Sequence, residues 1–247
     1  MVHELGSQPE DWGFDVDFEE AHALCFSQDG TGLLVAGSAG KYEYWNVREQ
    51  RRVLQNVLHL DRIQSVAVAP NGKWAALGGE ISNEPSDATA GSACVVVIDL
   101  GNGSEVVRLD GGSFPVTDLQ FSTQGTLLAA SSGYRAQSSG GSVFRKITVW
   151  DTSEWKVFSD LQIDSSSMAR LRFSSDDRFL TAGTNPSSHA VLDVKSGRWR
   201  LFSSSDRTVR RFGARMSHEG TMELLDWKGN TLSAKSSPEF QLRMQIR

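Results

Sequence analysis

Cysteine is scarce in this chain: Cys25 and Cys94 are the two thiols among 247 residues. A framework of several disulfides is excluded. A reducing, cytoplasmic setting fits two small thiols, each expected to be buried in an apolar strand-like run. Long apolar stretches are missing too; none approaches the ~20 residues of a membrane-crossing helix. The N-terminal stretch "MVHELGSQPEDWGFDVDFEE" is acidic and lacks the apolar centre of a secretory signal, so none is expected. Positive charge is not in excess. With 25 Lys and Arg against 30 Asp and Glu, the net charge of -5 argues against a nucleic-acid partner.

The residue sets of common chemistries are also thin. His3, His22, His59, His189 and His218 are scattered, with no H-E-x-x-H and no metal-ligand spacing. There is no G-x-S-x-G and no phosphate-binding loop. The glycines of "GTGLLVAG" open a strand rather than a helix, so a dinucleotide site is not expected. His22 and Cys25 lie three apart on a strand, which puts them on opposite faces. No cofactor, no metal and no catalytic residue is therefore expected, and the chain reads as a non-enzyme.

What the chain has is repetition. "CFSQDGTGLLVAG" (Cys25 to Gly37) is a strand, a polar turn and a second strand. It recurs as "AVAPNGKWAALGG", "QFSTQGTLLAASSG" and "RFSSDDRFLTAG", and more faintly as "RMSHEGTMELLDW". Anchored on the residue before each turn (Phe26, Val68, Phe121, Phe173, Met216), the steps are 42, 53, 52 and 43. A period of about 40–45 residues is that of a four-stranded propeller blade. A second landmark ends a β-rich run at Asn46, Asp99, Asp151 and Asp193, which lie 20, 31, 30 and 20 residues after the anchors. The extra residues of copies two and three thus fall before the third strand, in "EISNEPSDATAGS" (Glu80 to Ser92) and "YRAQSSGGSVFRK" (Tyr134 to Lys146). Both are rich in Gly, Ser and polar residues and read as loops. Tight turns are expected at Asp29-Gly30, Asn71-Gly72, Gln124-Gly125 and Asp176-Asp177.

The repeated "FSQDG", "FSTQG" and "FSSDD", together with Trp150-Asp151 at the end of a third strand, resemble WD40-type β-propellers. The resemblance covers Glu20 to about Arg247. It implies an all-β fold, a β-propeller of four-stranded antiparallel blades with about five blades written here. Residues 1–20 are an N-terminal segment and 21–247 the propeller. Only one true Trp-Asp pair of this type occurs, and the Gly-His pair usual before the first strand is missing, so the His–Asp network of many members is not carried over. The fifth copy is weak, because "NTLSAKSS" lacks a bulky apolar face. Three closures stay open. "EFQLRMQIR" is the outer strand of blade five, or it is an inner strand and "WGFDVDF" closes the ring, or another chain supplies blades.

In such blades the loops between strands two and three open on the same face as the connections between blades. The two insertions then emerge side by side, and long loops on a rigid scaffold often carry binding. The second holds Tyr134, Arg135, Phe144 and Arg145, residue types enriched at interface hot spots. The first is acidic, with Glu84 and Asp87. These six are the candidate partner-binding residues. Of the seven tryptophans, Trp12, Trp155 and Trp199 flank turns or outer strands and are candidates for exposed contacts. Some WD40-like propellers bind phosphoinositides through Phe-Arg-Arg-Gly. Here the order is Arg210-Arg211-Phe212-Gly213, so that function is not carried over. The reading is a protein–protein interaction scaffold or subunit of a larger assembly. Its rivals are a sensor module binding a peptide or small ligand for a separate effector, and an enzyme with its site in the central channel.

Overall fold

The computed structural model describes residues 15–81, 92–112, 115–135, 143–164, 170–185, 188–203, 213–216, 222–225 and 231–232, and all regular structure among them is strand. Five antiparallel sheets follow one another along the chain. The first holds β1 (Ala21–Phe26), β2 (Gly32–Gly37), β3 (Lys41–Asn46) and β4 (Arg51–Val57). The second holds β5 (Arg62–Val68), β6 (Trp74–Ile81), β7 (Ser92–Asp99) and β8 (Glu105–Gly112). The third holds β9 (Val116–Phe121), β10 (Leu127–Arg135), β11 (Val143–Asp151) and β12 (Lys156–Asp164). The fourth holds β13 (Arg170–Phe173), β14 (Phe179–Asn185), β15 (Ser188–Asp193) and β16 (Arg198–Ser203). A shorter fifth sheet has β17 (Gly213–Met216), β18 (Met222–Leu225) and β19 (Thr231–Leu232). Every strand pairs with its sequence neighbour, and β1, β5 and β9 each lie beside the first strand of the next sheet.

The four expected turns all form, and their chemistry is local. Gly30, Gly72 and Gly125 have φ of 71°, 66° and 71°, where a side chain would be strained. In each, the fourth residue donates its N–H to the carbonyl of the first: Gly30 to Ser27, Gly72 to Ala69, Gly125 to Ser122 and Asp177 to Ser174. The serine of the repeated Phe-Ser pair closes the hairpin from inside. Ser27, Ser122 and Ser174 are buried, and each hydroxyl accepts an N–H five residues on, from Gly32, Leu127 and Phe179. The second landmark is equally local: Asp99, Asp151 and Asp193 accept the N–H of Gly101, Ser153 and Ser196, and Asn46 that of Glu49.

Burial follows strand alternation, and the core lies between blades rather than within them. Leu34, Ala36 and Tyr42 of blade one meet Ile63, Ala75 and Leu77 of blade two. The other face of blade two supplies Ala76, Val95 and Val97 against Leu119, Phe121 and Leu128 of blade three. Blade three in turn offers Ala129, Ile147 and Val149 to Leu171, Leu180 and Ala182 of blade four. The free face of blade one carries Leu33, Val35 and Trp45, and here Val16 and Phe18 of the N-terminal segment pack on top.

Beneath that segment sits a buried acid. Glu43 is fully enclosed and accepts three hydrogen bonds, from the Asp17 N–H, Trp45 Nε1 and Arg52, at 2.9, 2.8 and 3.0 Å. Asp17 is further tied by Gln55 to its carboxylate and by Lys41 to its carbonyl. Residues 15–20 contain no strand and are anchored on blade one.

Four expectations are corrected. Cys94 is buried, but Cys25 is only half-buried. Trp155 packs into the blade two–three core, edge-on to Trp74 at 5.5 Å, and Trp199 packs on the blade three–four core with Nε1 bonded to Ser159. Both are junction residues rather than exposed contacts. The segment "NTLSAKSS" does contribute a third strand, the two residues of β19. The flanking residues of both insertions are strand rather than loop, as described below. Trp12 and "EFQLRMQIR" lie outside the described residues.

Candidate functional site

Hydrogen bonds fix which connections share an end. The Ala39 N–H reaches the carbonyl of Asp61, and the Leu58 N–H that of Gly40. The β2–β3 turn therefore sits with the connection into blade two. At the other end, Val47, Leu100, Thr152 and Val194 each donate to the carbonyl of Thr31, Lys73, Thr126 and Arg178 in the first hairpin turn of their own blade. Each propeller end is thus stitched separately.

The insertions stand at the first end, and their described residues are strand-paired. The ladder of β10 and β11 continues through Tyr134 opposite Phe144 and Arg135 opposite Val143, leaving 136–142 as the link. In blade two, Glu80 and Ile81 pair with Ala93 and Ser92. The β-rich "VFRK" was hidden behind the Gly and Ser that precede it. The strands β10 and β11 run nine residues each, against six in β2 and β3. Three extra residues at about 3.3 Å each carry the blade-three hairpin ~10 Å further.

Among the sequence-derived candidates, Tyr134, Arg135 and Phe144 have their backbones in this ladder, and Glu84 and Asp87 lie outside the described residues. Arg145 is half-buried and alternates with Ile147 and Val149, which face blade four. Burial pushes its guanidinium below its ordinary pKa. Lys146 takes the opposite side, with Nζ 4.0 Å from Asp110 of β8 in blade two. The backbone brings Tyr134 and Phe144 together, and the twist of strand alternation separates Arg145 from Lys146.

Sequence reasoning missed the other end. A cavity of about 500 Å³ opens among the first strands, and Leu24, Phe26, Val66, Val68, Gln120 and Arg172 are among its lining. The turn residues Gln28, Pro70, Ser122 and Thr123 also line it. It thus lies toward the turn-bearing end, opposite the insertions. The one available signal was the alternation of Leu24 and Phe26 in a first strand.

The carboxylates near this cavity are fasteners. Asp118 accepts the N–H of Leu171 at 2.7 Å, and Gln120 that of Phe173 at 3.0 Å, so two side chains two apart on β9 meet two N–H groups on β13. Asp177, at φ 55°, reaches back to the N–H of Thr123 and Gln124. Burial raises the Asp118 carboxyl, opposed by the Leu171 N–H and the charges of Arg172 and Arg170. Asp29 is held at about 2, chiefly by the Ser27 hydroxyl and then by Thr31. Burial raises both thiols; for Cys25 a Val68 backbone hydrogen bond opposes it, for Cys94 the Arg108 guanidinium. Raised thiols are poor nucleophiles. Among the described residues, no group of three His, Cys, Asp or Glu is placed to hold a metal.

No protein-family model matches the chain, and no curated protein matches it. Solved structures do. The chain is similar to Kuenenia stuttgartiensis hydrazine synthase, with a TM-score of 0.61 and 15% identity over 84% of this chain and 64% of that one. It is also similar to the β-propeller domain of Cps50 (Swd1) from Myceliophteria thermophila, with a TM-score of 0.56 and 15% identity over 87% and 72%. Identity this low speaks to fold alone. With the stacked meanders and the hairpin chemistry above, it makes the fold a β-propeller of four-stranded antiparallel blades. The chain spans less than two thirds of the hydrazine synthase chain it matches.

Proposed function

We propose that this chain is a non-catalytic protein-interaction scaffold, a subunit of a larger assembly, which holds a protein partner on its insertion-bearing end. The observation that carries the reading is the paired extension of adjacent hairpins, in blades two and three, with that of blade three built as strand. A strand-paired projection is ordered before binding, which lowers the entropic cost of association. The Lys146–Asp110 pair across the blade boundary supports a joint surface. The engagement of Asp29, Asp99, Asp118, Asp151 and Asp177 with backbone N–H groups supports a structural rather than catalytic use of these acids. A cytoplasmic location belongs to the same reading and is supported by two free thiols.

Tyr134, Phe144, Arg135 and Arg145 carry most of the affinity in this reading, with Glu84 and Asp87 at the rim. The experiment is a pull-down from the native host, followed by titration of the captured partner against alanine variants. Tyr134→Ala and Phe144→Ala are each expected to cost ~2 kcal/mol or more. Charge reversal at Glu84 and Asp87 is expected to matter at low salt only, since exposed charges are screened within ~10 Å at 0.1 M. Unchanged affinity in all four aromatic and arginine variants would move the interface elsewhere.

A further inference from the structure

The residue before each hairpin anchor has a repeated task at the edge of the first strand. Gln120 takes the Phe173 N–H at 3.0 Å, and Cys25 takes a backbone hydrogen bond from Val68. Each reads the anchor of the next blade. Two members of the series break it. Ala67 has no side-chain acceptor to offer Phe121, and its methyl leaves room where Cys25 and Gln120 carry longer side chains. Arg172 has donors only, and its Nη1 turns instead to the Leu171 carbonyl at 2.7 Å. Ala67 and Arg172 both line the cavity of about 500 Å³ among the first strands.

Asp118 and Arg172 are the two charged residues of that lining, and they have opposite signs. Among the described residues they make no ion pair with each other, because Leu171 holds them apart. Its N–H is taken by Asp118 and its carbonyl by Arg172. Both charges keep capacity for a ligand. A carboxylate has about four acceptor sites, and Asp118 gives one to Leu171 and a lesser one to the Leu119 backbone. Arg172 is exposed and spends one donor of its fork on Leu171. A ligand with positive charge alone would meet the guanidinium, and one with negative charge alone would meet the carboxylate. A neutral ligand would strip water from both without replacing it. Apolar wall comes from Val66 and Val68 and from Leu24 and Phe26, the latter two 58% and 48% exposed. The volume lies within the ~300–1,000 Å³ of small-molecule sites.

We propose that this cavity binds a small zwitterion, a free α-amino acid with an apolar side chain. Asp118 receives the ammonium group and Arg172 the carboxylate, while the side chain lies against the apolar wall. The bound molecule supplies each of the two separated charges with the partner that neither finds in the other. The site lies at the turn-bearing end of the blades, opposite the insertions, and is independent of the interface proposed above.

The test titrates the full chain with L-leucine and L-phenylalanine by calorimetry, beside two leucine analogues that each lack one charge. Leucinamide keeps the ammonium group alone and isocaproate the carboxylate alone. Each analogue should bind ~10-fold more weakly or worse than leucine, the weight of a hydrogen bond to a charged group. Asp118→Asn still accepts the Leu171 N–H and Arg172→Gln still donates to its carbonyl, so both variants should stay folded. Asp118→Asn should lose the preference for leucine over isocaproate, and Arg172→Gln the preference for leucine over leucinamide. A merely structural role would move neither preference. Arg178→Gln, in the neighbouring turn and outside the lining, should bind leucine as the wild type does. So should a chain whose 136–142 link is replaced by a short turn, which separates this site from the insertion end. No binding of either amino acid at about 10 mM would overturn the proposal, whether water or the chain's own residues fill the space. Equal affinity for leucine and both analogues would overturn it too, as would variants that keep both preferences.

Discussion

Replacing Glu43 by alanine asks how firmly the N-terminal segment is fastened. The change removes the acceptor of three donors, from Asp17, Trp45 and Arg52. Arg52 is 38% exposed and regains water, so its loss counts for little. The Trp45 indole N–H and the Asp17 N–H stay beneath the segment, and a buried unpaired donor costs ~1–3 kcal/mol. The sum is about 2–6 kcal/mol. The alternative is that residues 15–20 lift off and water reaches the indole. That forfeits part of the burial of Val16 and Phe18, at ~1.5–3 kcal/mol for a fully buried side chain. Both routes give a similar total. At ~2–4 °C per kcal/mol for a chain of this size, the thermal midpoint should fall by ~5–15 °C. Denaturant unfolding measures the total, and hydrogen exchange at Asp17 and Phe18 tells the routes apart. Glu43→Gln, which keeps one acceptor oxygen, should lose less than half as much. A Glu43→Ala protein within about 0.5 kcal/mol of wild type, with Asp17 still protected, would refute this reasoning.

Two further outcomes follow from the repeat. Phe121→Ala should cost ~3–5 kcal/mol, because it empties a junction core, whereas Phe26→Ala at the equivalent exposed position should cost less than ~1 kcal/mol; chemical denaturation of the pair decides. Asp29, held at about 2 against ~3.9 for a free aspartate, stabilises the fold fully above about pH 4 and loses that contribution as pH falls toward about 2. Its NMR titration midpoint should move up in Ser27→Ala.

The hairpins were legible because turn chemistry is written in adjacent residues. Asp29-Gly30 and Asn71-Gly72 specify their conformation locally, and a fixed anchor spacing then counts the blades. The junction core was legible in kind, since alternating apolar residues on both faces of a sheet need neighbours on both sides. What failed was long-range. Nothing around Leu24 and Phe26 says that they lie on the face of β1 turned away from blade two. Nothing in "WGFDVDF" says that Val16 and Phe18 lie on Leu33, Val35 and Trp45, and the acid at Glu43 looks like an ordinary exposed strand residue until its three donors converge. Trp155 and Trp199 flank turns, which suggested exposure, but in a stacked array the turns of one blade reach the next. The insertion boundaries were misjudged because Gly and Ser in the link masked the strand propensity of Val143 to Lys146. Of the six candidate binding residues, Tyr134, Arg135, Phe144 and Arg145, expected in a loop, have their backbones in the paired strands of blade three, and Glu84 and Asp87 fall outside the described residues.

The scaffold reading turns most directly on one comparison. The protein with residues 136–142 replaced by a two-residue turn, which spares the paired strands, is set beside the wild type in a pull-down from the native host with mass spectrometry of the co-purifying chains. The expected result is an unchanged melting curve and the loss of at least one partner held by the wild type. A trimmed protein that stays folded and keeps every partner at unchanged affinity would contradict it.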